Sequence, residues 1–351
     1  MSIYDEAADK AKKQLDEISP TMCYAKWSQV SMHLTNGKTH SCYHPPTHSI
    51  DVNELKTNPS ALHNTKEKKE QRALMLKGER PEGCSYCWNI EDTGARSDRV
   101  YRSGEYWAQN AREEIAEAGA DGNINPRYVE VNFNQACNFK CSYCSPHLST
   151  AWQEEIDEHG EYPTVAPHNN VDSLRNKNLM PLKVAQDDNP YVTAFWKWWP
   201  DLSKELEEIR VTGGEPLMTP SIYKLFDWFK ETDEPNAKNM RLAINSNLMA
   251  KEALLNKFID ATQHIDHFHV YTSCEATFEQ AEYIRDGLNY GEWHSNLLHM
   301  MVDKVPSEIH NMATVNALCL ESLPEFLEKI IWFKTAGAVY GPTINFTLNI
   351  L

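Results

Sequence analysis

Three cysteines, Cys137, Cys141 and Cys144, stand within eight residues in the stretch 132-NFNQACNFKCSYCSPH-147. Thiolates select zinc or iron-sulfur clusters, and four ligands are the rule for a closed structural site. A C-x3-C-x2-C loop supplies three. If these hold three irons of a [4Fe-4S] cluster, the fourth iron stays open to an outside ligand, the condition under which a cluster becomes a catalyst instead of an electron wire. A second grouping, Cys23, Cys42, Cys84 and Cys87, offers four soft ligands and can close a site by itself. Zinc and an all-thiolate iron-sulfur cluster are both open to it. Cys274 and Cys319 stand alone in strand-like contexts and read as buried core thiols.

The elements that must position these residues belong to a long chain. Its 351 residues, 41% hydrophobic and 24% charged, suit one large α/β domain plus a smaller one. No apolar run approaches the ~18 residues of a membrane span, and the charged start MSIYDEAADKAKKQLDE is no signal peptide, so a cytoplasmic protein with reduced thiols is expected. A net charge of −16 argues against bulk nucleic-acid binding. The basic residues Lys66, Lys68, Lys69, Arg72 and Lys77 interleave with Glu67, Glu70 and Glu79 and read as a solvated helix face.

Near residue 125 the composition shifts to β-branched runs alternating with amphipathic helices, the pattern of parallel βα units. Six strands are expected: 128–133, 208–212, 240–245, 267–273, 309–318 and 343–351. Ile222, Leu225, Phe226 and Phe229 mark one buried helix face between them, and Phe326, Leu327, Ile330 and Ile331 another. Such an arrangement makes a partial barrel or an open doubly wound sheet, with ligands at the C-terminal strand ends. The chain stops inside the sixth strand at NFTLNIL, and further residues are expected beyond Leu351, since a bare terminal strand leaves an unprotected edge.

The run CNFKCSYC after a first strand, with the aromatic Tyr143 before its last cysteine, resembles the defining motif of the radical S-adenosylmethionine superfamily. After the second strand, 211-VTGGEPLM-218 is similar to the family's GGE motif, and two adjacent glycines let backbone approach a ligand closely. The resemblance covers about residue 127 to 351. It implies that Gly213, Gly214 and Glu215 hold the amino group of S-adenosylmethionine, with Tyr143 and Asn247 beside them. It also implies that Ser273 and Glu275 contact the ribose and that Arg285 takes the methionine carboxylate. The fold it implies is a partial (β/α)6 TIM-like barrel over residues 126–351, and the chemistry is reductive cleavage to a 5′-deoxyadenosyl radical that abstracts a hydrogen atom.

The spacing C-x13-G-x4-C from Cys23 through Gly37 to Cys42, followed by 81-PEGCSYCW-88, resembles the SPASM and twitch domains, which bind auxiliary clusters. That resemblance implies a small α+β twitch-like domain over residues 1–125. Cys23, Cys42, Cys84 and Cys87 would hold an auxiliary [4Fe-4S] cluster, with zinc as the alternative, and Cys23 and Cys42 would flank a hairpin turning at Gly37. His33, His40, His44, His48 and His63 crowd the same region and read as surface residues or as side chains packed behind the ligands. The expected function is a maturase-type oxidoreductase on a peptidyl or small polar substrate, reduced by a flavodoxin or ferredoxin. A carbohydrate or nucleotide-like substrate, epimerised or dehydrogenated, is the second enzymatic reading. A noncatalytic iron-sulfur or zinc scaffold is the third.

Overall fold

The computed structural model describes residues 3–165, 169–303 and 306–351. Its strands, in chain order, are β1 (Gln29–His33), β2 (Lys38–His40), β3 (His48–Ser49), β4 (Tyr128–Asn132), β5 (Lys140–Cys141), β6 (Glu208–Thr212), β7 (Arg241–Asn245), β8 (Phe268–Ser273), β9 (Arg285–Asp286), β10 (Glu308–Val315) and β11 (Thr343–Ile350). The architecture is mixed α/β with a large, mostly parallel sheet. The chain divides into two compact units, one holding the residues up to Val131 with Val184–Ile209, the other Asn132–Lys183 with Arg210–Leu351. Among the described residues no helix is long and apolar enough to cross a membrane.

In the second unit β6, β7, β8, β10 and β11 are hydrogen-bonded neighbours in that order. β7, β8, β10 and β11 run parallel, in a register that aligns Asn245, Tyr271, His310 and Asn345. Parallel neighbours need crossovers, which are the helices Pro220–Glu231, Glu252–Thr262, Tyr290–Val302 and Leu323–Tyr340. Phe226, Phe258 and Phe268 pack together where two of these helices meet β8. Each is almost fully buried, worth ~1.5–3 kcal/mol apiece. The six expected strands all form. β10 ends at Val315 instead of 318 because Asn316 turns the chain, its side chain accepting from the Leu318 N–H at 2.9 Å. On the last helix Phe326, Ile330 and Phe333 are buried, whereas Ile331 is 62% exposed. The buried stripe follows i, i+4, i+7, and the neighbour in sequence falls off it.

In the first unit β1 and β2 form an antiparallel hairpin between Cys23 and Cys42. Gly37 turns it with φ +69°, and a Cβ there would sit 2.0 Å from the Tyr191 ring. The helix Lys66–Leu76 follows, capped by the Thr65 hydroxyl, which accepts from the Lys68 N–H at 3.2 Å. Its buried face is Lys68, Arg72 and Met75, so the expected solvated face holds for Lys66, Glu67, Glu70, Lys77 and Glu79 and fails at Lys68 and Arg72. The two cations occupy the i, i+4 positions of the same stripe as Met75 and find polar partners inside. His63 is likewise a core residue, 0% exposed, with Nε2 2.7 Å from the Trp27 carbonyl and Nδ1 2.7 Å from Lys68 Nζ.

Gly37→Ala is expected to destabilise the first unit by more than the ~1 kcal/mol that a positive φ alone costs an L residue. The Tyr191 ring must also move. Urea unfolding reads this, and an unchanged midpoint would contradict the turn geometry.

Candidate functional site

The loop carrying Cys137, Cys141 and Cys144 runs from the end of β4 to the helix Thr150–His159. It is tied at each end. The Thr150 hydroxyl accepts from the Cys137 N–H and donates to the Cys137 carbonyl, both at 3.1 Å. Trp152 Nε1 donates to the Cys141 carbonyl at 2.9 Å, and the Cys144 N–H closes a turn onto the same carbonyl at 2.9 Å. β5 pairs antiparallel with β9, placing Cys141 opposite Arg285.

The three thiols lie within electrostatic reach of one another, and burial pushes Cys137 up to about 11 and Cys141 up to about 12. Cys144 moves the same way for the same reason. Burial of this kind favours the neutral thiol, as it does for the core thiol Cys274, which is also pushed up to about 12. Among the described residues no three His, Cys, Asp or Glu side chains are placed to hold a single metal ion.

Gly213 and Gly214 lie against this loop. A Cβ on Gly213 would stand 2.4 Å from Asn132 Oδ1, and one on Gly214 2.2 Å from the Ala136 carbonyl oxygen. The glycines were read as room for a ligand, and the close approach the structure shows is to the loop itself. The Glu215 N–H donates to the Ala136 carbonyl at 2.6 Å. The Glu215 carboxylate is 4% exposed and takes three donors from nearby chain: the Leu217 N–H at 3.0 Å, the Ser246 hydroxyl at 2.8 Å and the Asn247 N–H at 2.7 Å. Burial outweighs those bonds and raises its pKa to about 7. Asn247 also reaches the loop, its Nδ2 donating to Asn138 Oδ1 at 2.8 Å.

At the end of β8, Ser273 is half-buried, and Glu275 beyond it is 1% exposed. Glu275 accepts from Arg285 through Nε at 3.1 Å and Nη2 at 2.7 Å, and the Tyr143 hydroxyl donates to it at 3.2 Å. The Arg285 Nη1 faces Cys141 Sγ at 3.9 Å. Tyr143, Glu275, Arg285 and Cys141 thus form one group, with Glu215 and Asn247 joined to the cysteine loop at Ala136 and Asn138. The β5/β9 pairing that aligns Arg285 with Cys141 is two residues long on each strand and leaves no periodic mark in the sequence.

Within the first unit Cys23, Cys42, Cys84 and Cys87 line a single cavity, together with Lys26, Asp98, Arg99 and Arg102. Cys23, Cys84 and Cys87 are buried and Cys42 half-buried. Burial, then the neighbouring thiols, pushes Cys23 up to about 12. Cys84 and Cys87 sit three residues apart where a 3-10 turn enters the helix Ser85–Glu91, and so face the same way. Cys274 and Cys319 are fully buried in the second unit.

No protein-family model matches the chain, and no curated protein sequence matches either. Among solved structures there is a likeness to the crystal structure of Streptococcus suis SuiB bound to S-adenosylmethionine, at TM-score 0.35 and 10% sequence identity, over 92% of this chain and 70% of that chain. A likeness this remote fixes neither fold nor chemistry for the present chain.

The raised Glu215 pKa has a stability consequence in the metal-free protein. Its folded value lies above the ordinary 4.5, so the folded state binds the extra proton, and stability from this residue is full below pH 4.5 and lost as pH rises through about 7. Replacing it as Glu215→Gln should therefore gain stability relative to the parent on going from pH 5 to pH 8, on the order of a few kcal/mol. Parallel urea titrations at both pH values read the difference, and a constant difference would contradict the buried carboxylate.

Proposed function

We propose that this chain is a radical S-adenosylmethionine enzyme that acts on a peptidyl or small polar substrate. One arrangement carries the reading. Three half-buried thiols stand on a loop clamped by Gly214 and Glu215, and one of them faces an arginine that a buried glutamate holds in place. The donor set fits the group by type and spacing: three soft thiol donors on one loop suit an iron-sulfur core, and Cys137, Cys141 and Cys144 would hold it. When bound, a [4Fe-4S] cluster with one iron free of cysteine supplies the electron that cleaves S-adenosylmethionine to the radical that takes a hydrogen atom from substrate.

The protein side chains bind and orient. Of the Glu215 oxygens, Oε1 takes two donors and Oε2 one, which leaves Oε2 a lone pair for an amino group. Arg285 spends Nε and Nη2 on Glu275 and keeps Nη1 for a carboxylate beside Cys141. Ser273, at the end of β8, supplies an oxygen for a ribose hydroxyl, while Glu275, bound by Arg285 and Tyr143, holds the arginine in place. Tyr143 closes over Arg285, whose guanidinium carbon lies 5.3 Å from the ring centre, and screens the pair from water. Cys23, Cys42, Cys84 and Cys87 would hold a second, fully ligated cluster.

Anaerobic reconstitution with iron and sulfide, followed by dithionite and S-adenosylmethionine, should yield 5′-deoxyadenosine. Its absence overturns the proposal and leaves a noncatalytic scaffold. Cys141→Ala should reduce that product to background while iron at the other four cysteines persists. Iron near about eight per chain fits two clusters, and about four with one zinc fits a zinc site in the first unit.

A further inference from the structure

The first unit buries three basic side chains together. Lys26, Lys68 and Arg72 are 2%, 0% and 0% exposed. Their hydrogen bonds end on neutral acceptors. Lys26 Nζ donates to Gln71 Oε1 at 2.6 Å, and Lys68 Nζ donates to the Gln29 carbonyl at 3.1 Å and to His63 Nδ1 at 2.7 Å. Arg72 donates to Asn64 Oδ1 at 3.1 Å, the Gly122 carbonyl at 3.3 Å and the Lys26 carbonyl at 3.4 Å. Among the described residues none of the three makes a salt bridge, whereas Arg99 and Arg127 of the same unit pair with Glu91 and Glu114.

Burial works against the charged form, taking Lys68 well below its ordinary pKa and Arg72 down to about 9, so buried basic groups without a carboxylate partner keep their charge only where a counter-charge stands near them. Lys26 lines the four-cysteine cavity, and Lys68 lies within electrostatic reach of Cys23 and Cys42. Asp98 shares the cavity wall with Arg99 and Arg102, and the half-exposed Glu67 acts on Lys26 from outside. Those carboxylates do not balance the cations present. Four protonated thiols contribute no charge, but four thiolates around an iron-sulfur core form a dianion, which gains a further negative charge on reduction.

We propose that Lys26, Lys68 and Arg72 are the built-in counter-charge of a polyanionic metal-thiolate centre at Cys23, Cys42, Cys84 and Cys87, and that they raise the reduction potential of an iron-sulfur cluster held there. The proposal rests on the four-cysteine cluster of the preceding reading. Fixed positive charge favours whichever redox state carries more negative charge, here the reduced one. The three residues are positioning groups for the centre and touch no substrate.

The test uses the full-length chain with Cys137, Cys141 and Cys144 changed to Ala, so that only this centre is loaded, and follows its reduction by electron paramagnetic resonance at controlled potential. Lys26→Met and Lys68→Met should each shift the midpoint potential downward, and the double variant further. Lys26→Arg, which keeps the charge, should stay near the parent. If Lys68→Met fails to fold, Lys26→Met at the cavity wall carries the test. An unchanged potential in Lys26→Met, or an equal shift in Lys26→Arg, overturns the proposal, as does zinc or no metal at these four cysteines. The catalytic reading is judged apart from this, by 5′-deoxyadenosine formation in a chain whose Cys23, Cys42, Cys84 and Cys87 are all Ala.

Discussion

The backbone contact between Glu215 and Ala136 is the constraint on which the candidate site depends. Its N–H to carbonyl distance of 2.6 Å, with the Gly214 N–H 3.4 Å from the Asn134 carbonyl, presses the end of β6 onto the base of the cysteine loop. Any side chain at 213 or 214 would collide with Asn132 or Ala136. From that contact the Glu215 carboxylate reaches the end of β7, through Ser246 and Asn247. The β5/β9 ribbon then carries the loop to Arg285, and Arg285 to Glu275 beyond β8. Three strand ends and one loop are joined by backbone and by buried charge, a rigid support for groups that must hold a ligand within fractions of an ångström.

Burial acts on the two thiol groups in the same direction and to different ends. Cys137, Cys141 and Cys144 are each partly accessible, and one faces the Nη1 of a guanidinium. The other four line a cavity walled by Lys26, Arg99 and Arg102, with Lys68 within electrostatic reach of Cys23 and Cys42. A three-thiol loop with an open side suits a centre that takes an outside ligand. A four-thiol cavity with interior cations suits a centre that closes on its own ligands and holds charge. Neither set makes sense as surface cysteine, because a buried thiol is poorly ionised and poorly reactive without a cation.

Much of the fold was legible in the sequence. β-branched runs at regular intervals gave the parallel strands within one to three residues, because fully buried strands carry a continuous apolar signal. The cysteine groupings were legible because few other roles cluster thiols in this way. Lys68 and Arg72 were misread because charge in a helix is normally solvated, and only the stripe shared with Met75 distinguishes them. At Gly213 and Gly214 the nearest neighbour accommodated is the chain's own loop. The pairing of Cys141 with Arg285 joins residues 144 apart through a ribbon too short to show a period.

The central claim is that the cluster on Cys137, Cys141 and Cys144 keeps an iron open for S-adenosylmethionine. It is tested most directly by electron-nuclear double resonance on the reduced full-length chain, with Cys23, Cys42, Cys84 and Cys87 removed and the methionine amino nitrogen of the added S-adenosylmethionine labelled with ¹⁵N. A hyperfine coupling from that nitrogen to the cluster is the result predicted. A reduced cluster whose signal is indifferent to S-adenosylmethionine and shows no such coupling would contradict the account.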